Sequence, residues 1–67
     1  MTVGERLRKA RRRLHKTQLE IAGEVGVTQP RIQQLESGDG VPSHLIRKVS
    51  KAYGVDPLDL LHKTRAA

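Results

Sequence analysis

The sequence predicts an all-α fold, a compact bundle of five helices. Apolar residues recur at intervals of three or four along most of the 67 residues, which is the spacing of one face of a helix. Threonine, serine or aspartate precedes each such segment, and glycine follows several of them, as expected at helix starts and ends. There is no alternating strand pattern and no internal repeat. At this length we expect one domain over residues 1–67 with a single small core.

The first helix begins at a capping box, in which a hydroxyl and a carboxylate three residues apart each accept the other residue's backbone amide. Thr2 and Glu5 have this spacing, and the helix is predicted to run to about Leu14. Its inward residues repeat every three or four positions, so most charged residues between them face water. These inward residues are Val3, Leu7, Ala10 and Leu14.

Two more helices follow, joined by a tight turn of three residues. Thr17 and Glu20 repeat the capping box, and the second helix ends near Gly26, where only glycine adopts a left-handed backbone cheaply. Thr28 caps the third helix, and Pro30 is tolerated because amides of the first turn have no partner within the helix.

Small and apolar residues in this segment suit two helices that cross closely. Ala22 is small at the expected crossing, and a helix-turn-helix is therefore predicted over about residues 18–37. The side chains predicted to point inward are Ile21, Val25, Val27, Ile32 and Leu35.

The rest of the chain is predicted to form two helices. After a loop at 38–40, Ser43 is the predicted cap of a fourth helix that ends at Gly54. Asp56, followed by Pro57 and Asp59, favours a short fifth helix before a tail at 62–67. The apolar residues of these two helices are Leu45, Ile46, Val49, Ala52 and Tyr53, then Leu58, Leu60 and Leu61.

Charge and composition restrict the function. Thirteen lysines and arginines against seven acidic residues give a net charge of +6, and residues 8–13 hold five of the basic ones. Such a balance favours an anionic partner. The chain has no cysteine, no apolar run long enough for a membrane and no signal-peptide pattern, so we expect a cytoplasmic protein without a membrane partner.

The parts of an enzyme are missing from the sequence. His15, His44 and His62 are far apart and lack ligand-like spacing, and Gly38–Gly40 lacks the lysine of a nucleotide-binding loop. Tyr53, the only aromatic residue, does not make a stacking platform for single strands or RNA. We therefore predict no catalytic residue, no metal site and no cofactor.

The order of these elements resembles the Cro and phage-repressor-type (XRE-like) helix-turn-helix domains over roughly residues 3–61. The resemblance implies an all-helical fold in which residues 18–25 form a positioning helix and residues 29–36 a recognition helix that enters the DNA major groove. The residues that carry it are Gly4-Glu5-Arg6-Leu7, Arg11, Thr17-Gln18, Ala22, Gly26-Val27-Thr28, Ile32, Leu35-Glu36, Gly38 and Gly54-Val55.

The recognition helix turns mainly glutamines toward the groove. On a helical wheel the groove side holds Gln29, Pro30, Gln33, Gln34 and Ser37. A glutamine amide matches the N6 and N7 edge of adenine. The resemblance implies base reading by Gln29, Pro30 and Gln34, with Thr28 and Arg31 beside them and Gln33 a weaker candidate. Pro30 departs from the family pattern and offers only a ring, for a thymine methyl or no base. The alternative is that these glutamines are only a solvated surface.

Phosphate contacts are predicted at helix starts and along the basic segment. Gln18 begins the second helix, where free amides attract an anion, while Thr17 serves either as a cap or as a phosphate ligand. Ser37 and the loop after it resemble a second phosphate clamp, although this loop contains Asp39 and no lysine or arginine. The basic residues Arg8, Arg12, Arg13 and Lys16 attract DNA at long range or are simply solvated.

Two further expectations concern stability and assembly. The resemblance implies that Arg11 and Glu36 form a structural ion pair between the first and third helices. We expect a repressor that binds an inverted-repeat operator in double-stranded DNA as a homodimer. Leu58, Leu60, Leu61 and Tyr53 either form the dimer contact or close the monomer core.

The alternative functions are an antitoxin or other protein-binding module, with a toxin or antirepressor as partner, and a restriction-modification controller.

Overall fold

The computed structural model describes residues 2–60, which form four α-helices and a short 3-10 helix. The all-helical prediction is confirmed for this part of the chain, and none of these helices is both long and apolar enough to cross a membrane. The helices are α1 (Val3–Arg13), α2 (Gln18–Val25), α3 (Gln29–Ser37) and α4 (Ser43–Tyr53), followed by the 3-10 helix Pro57–Leu60.

The prediction of a fifth α-helix is wrong. Four residues are too few to complete the i to i−4 bonds of an α-helix, and the Asp59 amide instead donates to the Asp56 carbonyl three residues back, at 2.9 Å. Leu61 and the tail 62–67, which the sequence analysis assigned to this helix and its continuation, lie outside the described residues.

Both predicted capping boxes are confirmed. The Thr2 hydroxyl accepts the Glu5 amide at 3.2 Å, and the Glu5 carboxylate accepts the Thr2 amide at 2.8 Å. The Thr2 amide and the Thr2 hydroxyl both donate to the Glu5 carboxylate, and these two hydrogen bonds lower the pKa of Glu5. Thr17 and Glu20 make the equivalent pair at 3.1 and 2.8 Å. The starts of α1 and α2 are thus determined by local sequence.

The predicted cap at Ser43 is wrong by one residue. Pro42 occupies the cap position of α4, and no side chain caps this helix. The ring holds the Pro42 φ at −54°, and its carbonyl accepts the Leu45 amide at 2.9 Å, so Ser43 already belongs to the first turn.

The core contains apolar side chains from every helix. Leu14, predicted to face inward, is instead 42% exposed because α1 ends at Arg13 and the chain turns away there. Leu58 is 72% exposed, whereas Leu60 is completely buried and closes the core. The buried apolar residues are Val3, Leu7, Ile21, Ala22, Val25, Ile32, Leu35, Leu45, Val49, Ala52, Tyr53 and Leu60.

The end of α1 depends on a non-glycine residue in a left-handed conformation. His15 has φ 57°, and its amide donates to the Arg12 carbonyl at 3.0 Å. The Lys16 amide donates to the Arg11 carbonyl at 3.2 Å, which completes a Schellman termination. The sequence predicted the position of this helix end, about Leu14, but not its left-handed residue, because histidine is not the residue that such a site favours.

The start of α1 lies directly against the end of α3. The Gly4 amide donates to the Gly38 carbonyl at 3.0 Å, and a Cβ on Gly4 would lie 2.4 Å from the Glu36 carbonyl oxygen. Asp39 accepts the Val3 amide at 3.0 Å. This contact accounts for an acidic residue in a loop that the sequence analysis assigned to phosphate binding.

Candidate nucleic-acid interface

A glycine turn sets the angle between α2 and α3. Gly26 has φ 86°, and both its amide and that of Val27 donate to the Ala22 carbonyl, at 2.8 and 3.0 Å. Thr28 then caps α3, with its hydroxyl accepting the Arg31 amide at 3.3 Å. The predicted helix-turn-helix is confirmed, and the Thr28 oxygen has a structural role in it.

The outer face of α3 carries amides and no negative charge. Ile32, Leu35 and Glu36 are buried, and Glu36, only 1% exposed, is the single acidic residue of the helix. Arg31 is half-buried. The exposed residues at this face are Thr28, Gln29, Pro30, Gln33, Gln34 and Ser37. An acid-free face lined with donors and acceptors suits a polyanion whose base edges also offer donors and acceptors.

Two side-chain hydrogen bonds organise this face. The Arg31 guanidinium donates from Nη1 to Oε1 of Gln34 at 3.2 Å, one turn along the helix. Ser37 donates its hydroxyl proton to the Gln33 carbonyl at 2.9 Å. The amide of Gln34 is therefore oriented before any partner arrives, which the sequence analysis did not anticipate.

The start of α2 has free amides, but the side chain of Gln18 is already engaged. Thr17 accepts the Glu20 amide, which leaves the first two amides of α2, those of Gln18 and Leu19, without intrahelical acceptors. The Gln18 side chain donates from Nε2 to Glu36 Oε1 at 3.2 Å. Its backbone amide, rather than its side chain, is the group that this geometry leaves for a phosphate.

The predicted basic phosphate contacts differ in exposure and in ion pairing. Lys16 is paired with Glu24 at 2.9 Å, on a partly exposed site at the side of α2. Arg8 is 44% exposed and lies 3.9 Å from Glu36, and Arg12 is exposed on α1.

Glu36 is the centre of a buried network that ties α3 to the other three α-helices. Arg11 of α1 donates to both carboxylate oxygens, from Nε at 2.8 Å and from Nη2 at 3.0 Å. Tyr53 of α4 donates its hydroxyl at 2.8 Å, and Gln18 of α2 supplies the fourth bond. Arg11 also donates to the Lys16 carbonyl at 3.1 Å. All polar atoms of the Glu36 side chain are thus satisfied.

The network decides the charge state of its members. Burial on its own raises the pKa of Glu36, but the hydrogen bonds from Arg11, Tyr53 and Gln18 outweigh burial and hold the pKa below its ordinary value. Burial and the Glu36 hydrogen bond raise the pKa of Tyr53. Glu36 therefore remains ionised and Tyr53 remains a donor at neutral pH.

Sequence reasoning reached Arg11 and Glu36 but missed Gln18 and Tyr53 as members of this network. A signal for Tyr53 was present: a tyrosine on the buried face of a helix needs a partner for its hydroxyl. No comparable signal existed for Gln18. A glutamine at a helix start has the same sequence pattern whether its side chain is exposed to solvent or bonds to a buried carboxylate.

Comparison with known proteins agrees with this geometry. A family model described as helix-turn-helix matches residues 7–60, most of the chain and all of α2, α3 and α4. The chain therefore belongs to the Cro/C1-type (XRE-like) helix-turn-helix family of DNA-binding domains.

Proposed function

We propose that this protein is a transcriptional repressor that reads an inverted-repeat operator as a dimer, with α3 in the major groove of each half-site. The observation that carries the proposal is the exposed, acid-free face of α3, held rigidly by the buried Glu36 network. A reading helix must keep its angle to the rest of the domain, and Glu36 connects it to three other helices.

Gln29 and Gln34 are the principal base-reading residues in this proposal. The Gln34 oxygen that accepts from Arg31 has a second lone pair, and its amide nitrogen is free to donate. Gln34 can therefore accept from N6 and donate to N7 of adenine without losing Arg31. Pro30 would place its ring against a thymine methyl, while Thr28, Arg31 and Gln33 contact neighbouring positions.

Phosphate contacts flank the reading helix. The backbone amide of Gln18 supplies the positive end of α2, and the Ser37 hydroxyl can donate to a phosphate oxygen once its proton rotates away from the Gln33 carbonyl. Lys16, Arg8 and Arg12 attract the duplex at long range through their positive charge, and Thr17 contributes mainly by orienting the start of α2.

A dimer is part of the proposal because one α3 helix contacts only a few base pairs. A symmetric pair would place its two reading helices about 34 Å apart, one turn of DNA. Leu58, a large apolar side chain 72% exposed beside the buried Leu60, is the proposed contact between copies. We expect Leu58→Glu to remain folded and to sediment as a monomer. Its affinity for the inverted repeat should be lower than that of the unaltered chain.

Selection of bound duplexes from a random pool tests the reading proposal directly. We expect an inverted repeat to be enriched, and Gln29→Ala or Gln34→Ala to lose about 1–3 kcal/mol of binding to it. His44→Ala, an exposed substitution on α4, is the matched control and should bind normally. Failure to enrich any sequence would exclude specific recognition.

Salt dependence tests the phosphate contacts separately. The logarithm of affinity should fall linearly with the logarithm of salt concentration, by about 0.9 per neutralised phosphate. Arg8→Gln and Arg12→Gln should each reduce that slope by about one if the residue contacts a phosphate, and should leave base preference unchanged. A flat salt dependence would remove the phosphate contacts from the proposal.

A further inference from the structure

We propose that a groove between α1 and the segment after α4 binds an acidic, amphipathic segment of a partner protein, at a surface separate from the DNA-reading face. The groove encloses about 210 Å³ and is open to solvent on one side. Of the residues that form it, only Arg13 was considered above as a cation that attracts DNA.

The wall of the groove on α1 carries three cations. Arg6, Lys9 and Arg13 are exposed and line the groove together. Their spacing of three and four residues makes one stripe about 10 Å long on the helix surface. Within residues 2–60 none of the three lies in an ion pair, whereas Arg8, Arg11 and Lys16 do.

The floor of the groove is apolar. It is formed by Ala10 and Val55, which are partly buried, and by Leu60, which is fully buried. A cavity of roughly 150 Å³ holds a benzene molecule, so this groove has room for one leucine or phenylalanine side chain. Asp59, the only carboxylate in the lining, leaves a local excess of two positive charges.

The groove lies on the flank of α1 that is directed away from α3. Gly4, Arg8 and Arg11 share the flank that contacts the end of α3 and Glu36. The cationic stripe lies roughly 160° around the helix from that flank, at about 100° per residue. A partner in the groove and DNA on α3 would therefore not compete for the same surface.

Charge identifies the class of occupant. Residues 61–67 of the sequence include Lys63 and Arg65 and no acidic side chain, so this segment offers no side-chain carboxylate to the stripe. A segment of a partner protein with carboxylates at the spacing of the stripe, and an apolar side chain between them, matches both the cationic wall and the apolar floor of the groove.

Binding of a designed peptide to the full chain tests this inference. The probe is a fluorescent helical peptide with three glutamates spaced three and four residues apart and one central leucine, and anisotropy reports its affinity. We expect Arg6→Gln, Lys9→Gln and Arg13→Gln combined to weaken peptide binding by about tenfold or more. The matched control combines Arg47→Gln, Lys48→Gln and Lys51→Gln, three exposed cations of α4, and should weaken it by less than about threefold.

Two further measurements separate groove binding from simple attraction between charges. A peptide with alanine in place of its leucine should bind more weakly to the unaltered chain, because the floor loses its contact. Asp59→Asn should strengthen peptide binding, because it removes the carboxylate from the lining. Equal effects of the two triple variants, or no effect of the leucine, would overturn the inference.

The same variants distinguish DNA from protein as the occupant. With a selected duplex as probe, the groove variant and the α4 control should lose similar, modest affinity through their equal loss of charge. A much larger loss in the groove variant would make this surface part of the DNA interface and overturn the proposal of a protein partner. Circular dichroism of both variants checks that each retains its helices.

Discussion

Replacing Glu36 with glutamine keeps the shape of the side chain and removes one charge from the buried network. All four hydrogen bonds to Glu36 are donated to it, two to each oxygen. Oε1 accepts from Arg11 and Gln18, and Oε2 accepts from Arg11 and Tyr53. An amide offers one acceptor atom and one donor group, so either orientation turns its NH₂ toward an Arg11 N–H.

The partners differ in their ability to adapt to that change. The Tyr53 hydroxyl can rotate and the Gln18 amide can turn over, so each can present an acceptor to the new donor. Arg11 has only donors, and its side chain is 14% exposed. The variant therefore leaves a largely buried guanidinium without its counter-charge and with one N–H unpaired.

We expect Glu36→Gln to lower the free energy of unfolding by about 3 kcal/mol, the lower end of the range for a broken buried pair because Arg11 keeps some contact with water. Chemical denaturation at neutral pH measures this loss. Glu24→Gln is the matched control: it removes the same charge from the Lys16 pair, whose members are 32% and 42% exposed, and should cost less than about 0.5 kcal/mol.

The pH dependence supplies an independent check. The folded-state pKa of Glu36 is lowered, so the stability that its charge contributes is present above the ordinary value of 4.5 and is lost as pH falls through the folded-state pKa. The difference between the unaltered protein and Glu36→Gln should be full at pH 7 and narrow in acid below that value. A loss no greater than that of Glu24→Gln, or a difference independent of pH, would refute the argument.

Three other substitutions test single features of the fold by chemical denaturation. Gly4→Ala should lower the free energy of unfolding by about 2 kcal/mol, because its Cβ would overlap backbone oxygens. Gly23→Ala, in open space on α2, should raise it by up to about 1 kcal/mol. Equal effects of the two substitutions would contradict the close approach at Gly4. His15→Gly should stabilise by about 0.5–1 kcal/mol by relieving a left-handed backbone, whereas His44→Gly on α4 should destabilise. Tyr53→Phe should cost about 1.5–3 kcal/mol below pH 10, because its hydroxyl donates to a buried carboxylate. Because the folded-state pKa of Tyr53 is raised, the unaltered protein alone should lose stability through this group as pH rises above 10.

Helix starts and the helix-turn-helix were predictable because their signals are local. A threonine and a glutamate three residues apart satisfy each other's amides wherever the rest of the chain lies. Gly26 likewise needs only its own backbone conformation to end α2. The errors occurred where local signals compete: Pro42 displaces Ser43 as the cap of α4, and Asp56 with Pro57 begins a 3-10 helix too short to become an α-helix.

The candidate site also has features that local sequence predicts and features that it does not. The outward face of α3 follows from helical periodicity, so the exposure of Gln29 and Gln34 was predictable. The bond from Arg31 to Gln34 joins two flexible side chains, and no spacing rule decides whether such a bond forms. The placement of Asp39 on the α1 amide depends on how two distant segments meet, and local sequence signals do not reveal that meeting.

The sequence by itself determined the helical class, most helix ends and the residues exposed on α3, because these depend on neighbours three or four positions away. Only the tertiary structure decided that Glu36 joins four helices, that Gln18 turns its side chain inward and that Leu60 closes the core while Leu58 remains exposed. Those outcomes depend on contacts between residues far apart in the chain. Their energies come from burial and from the satisfaction of buried polar atoms, which are properties of the packed molecule.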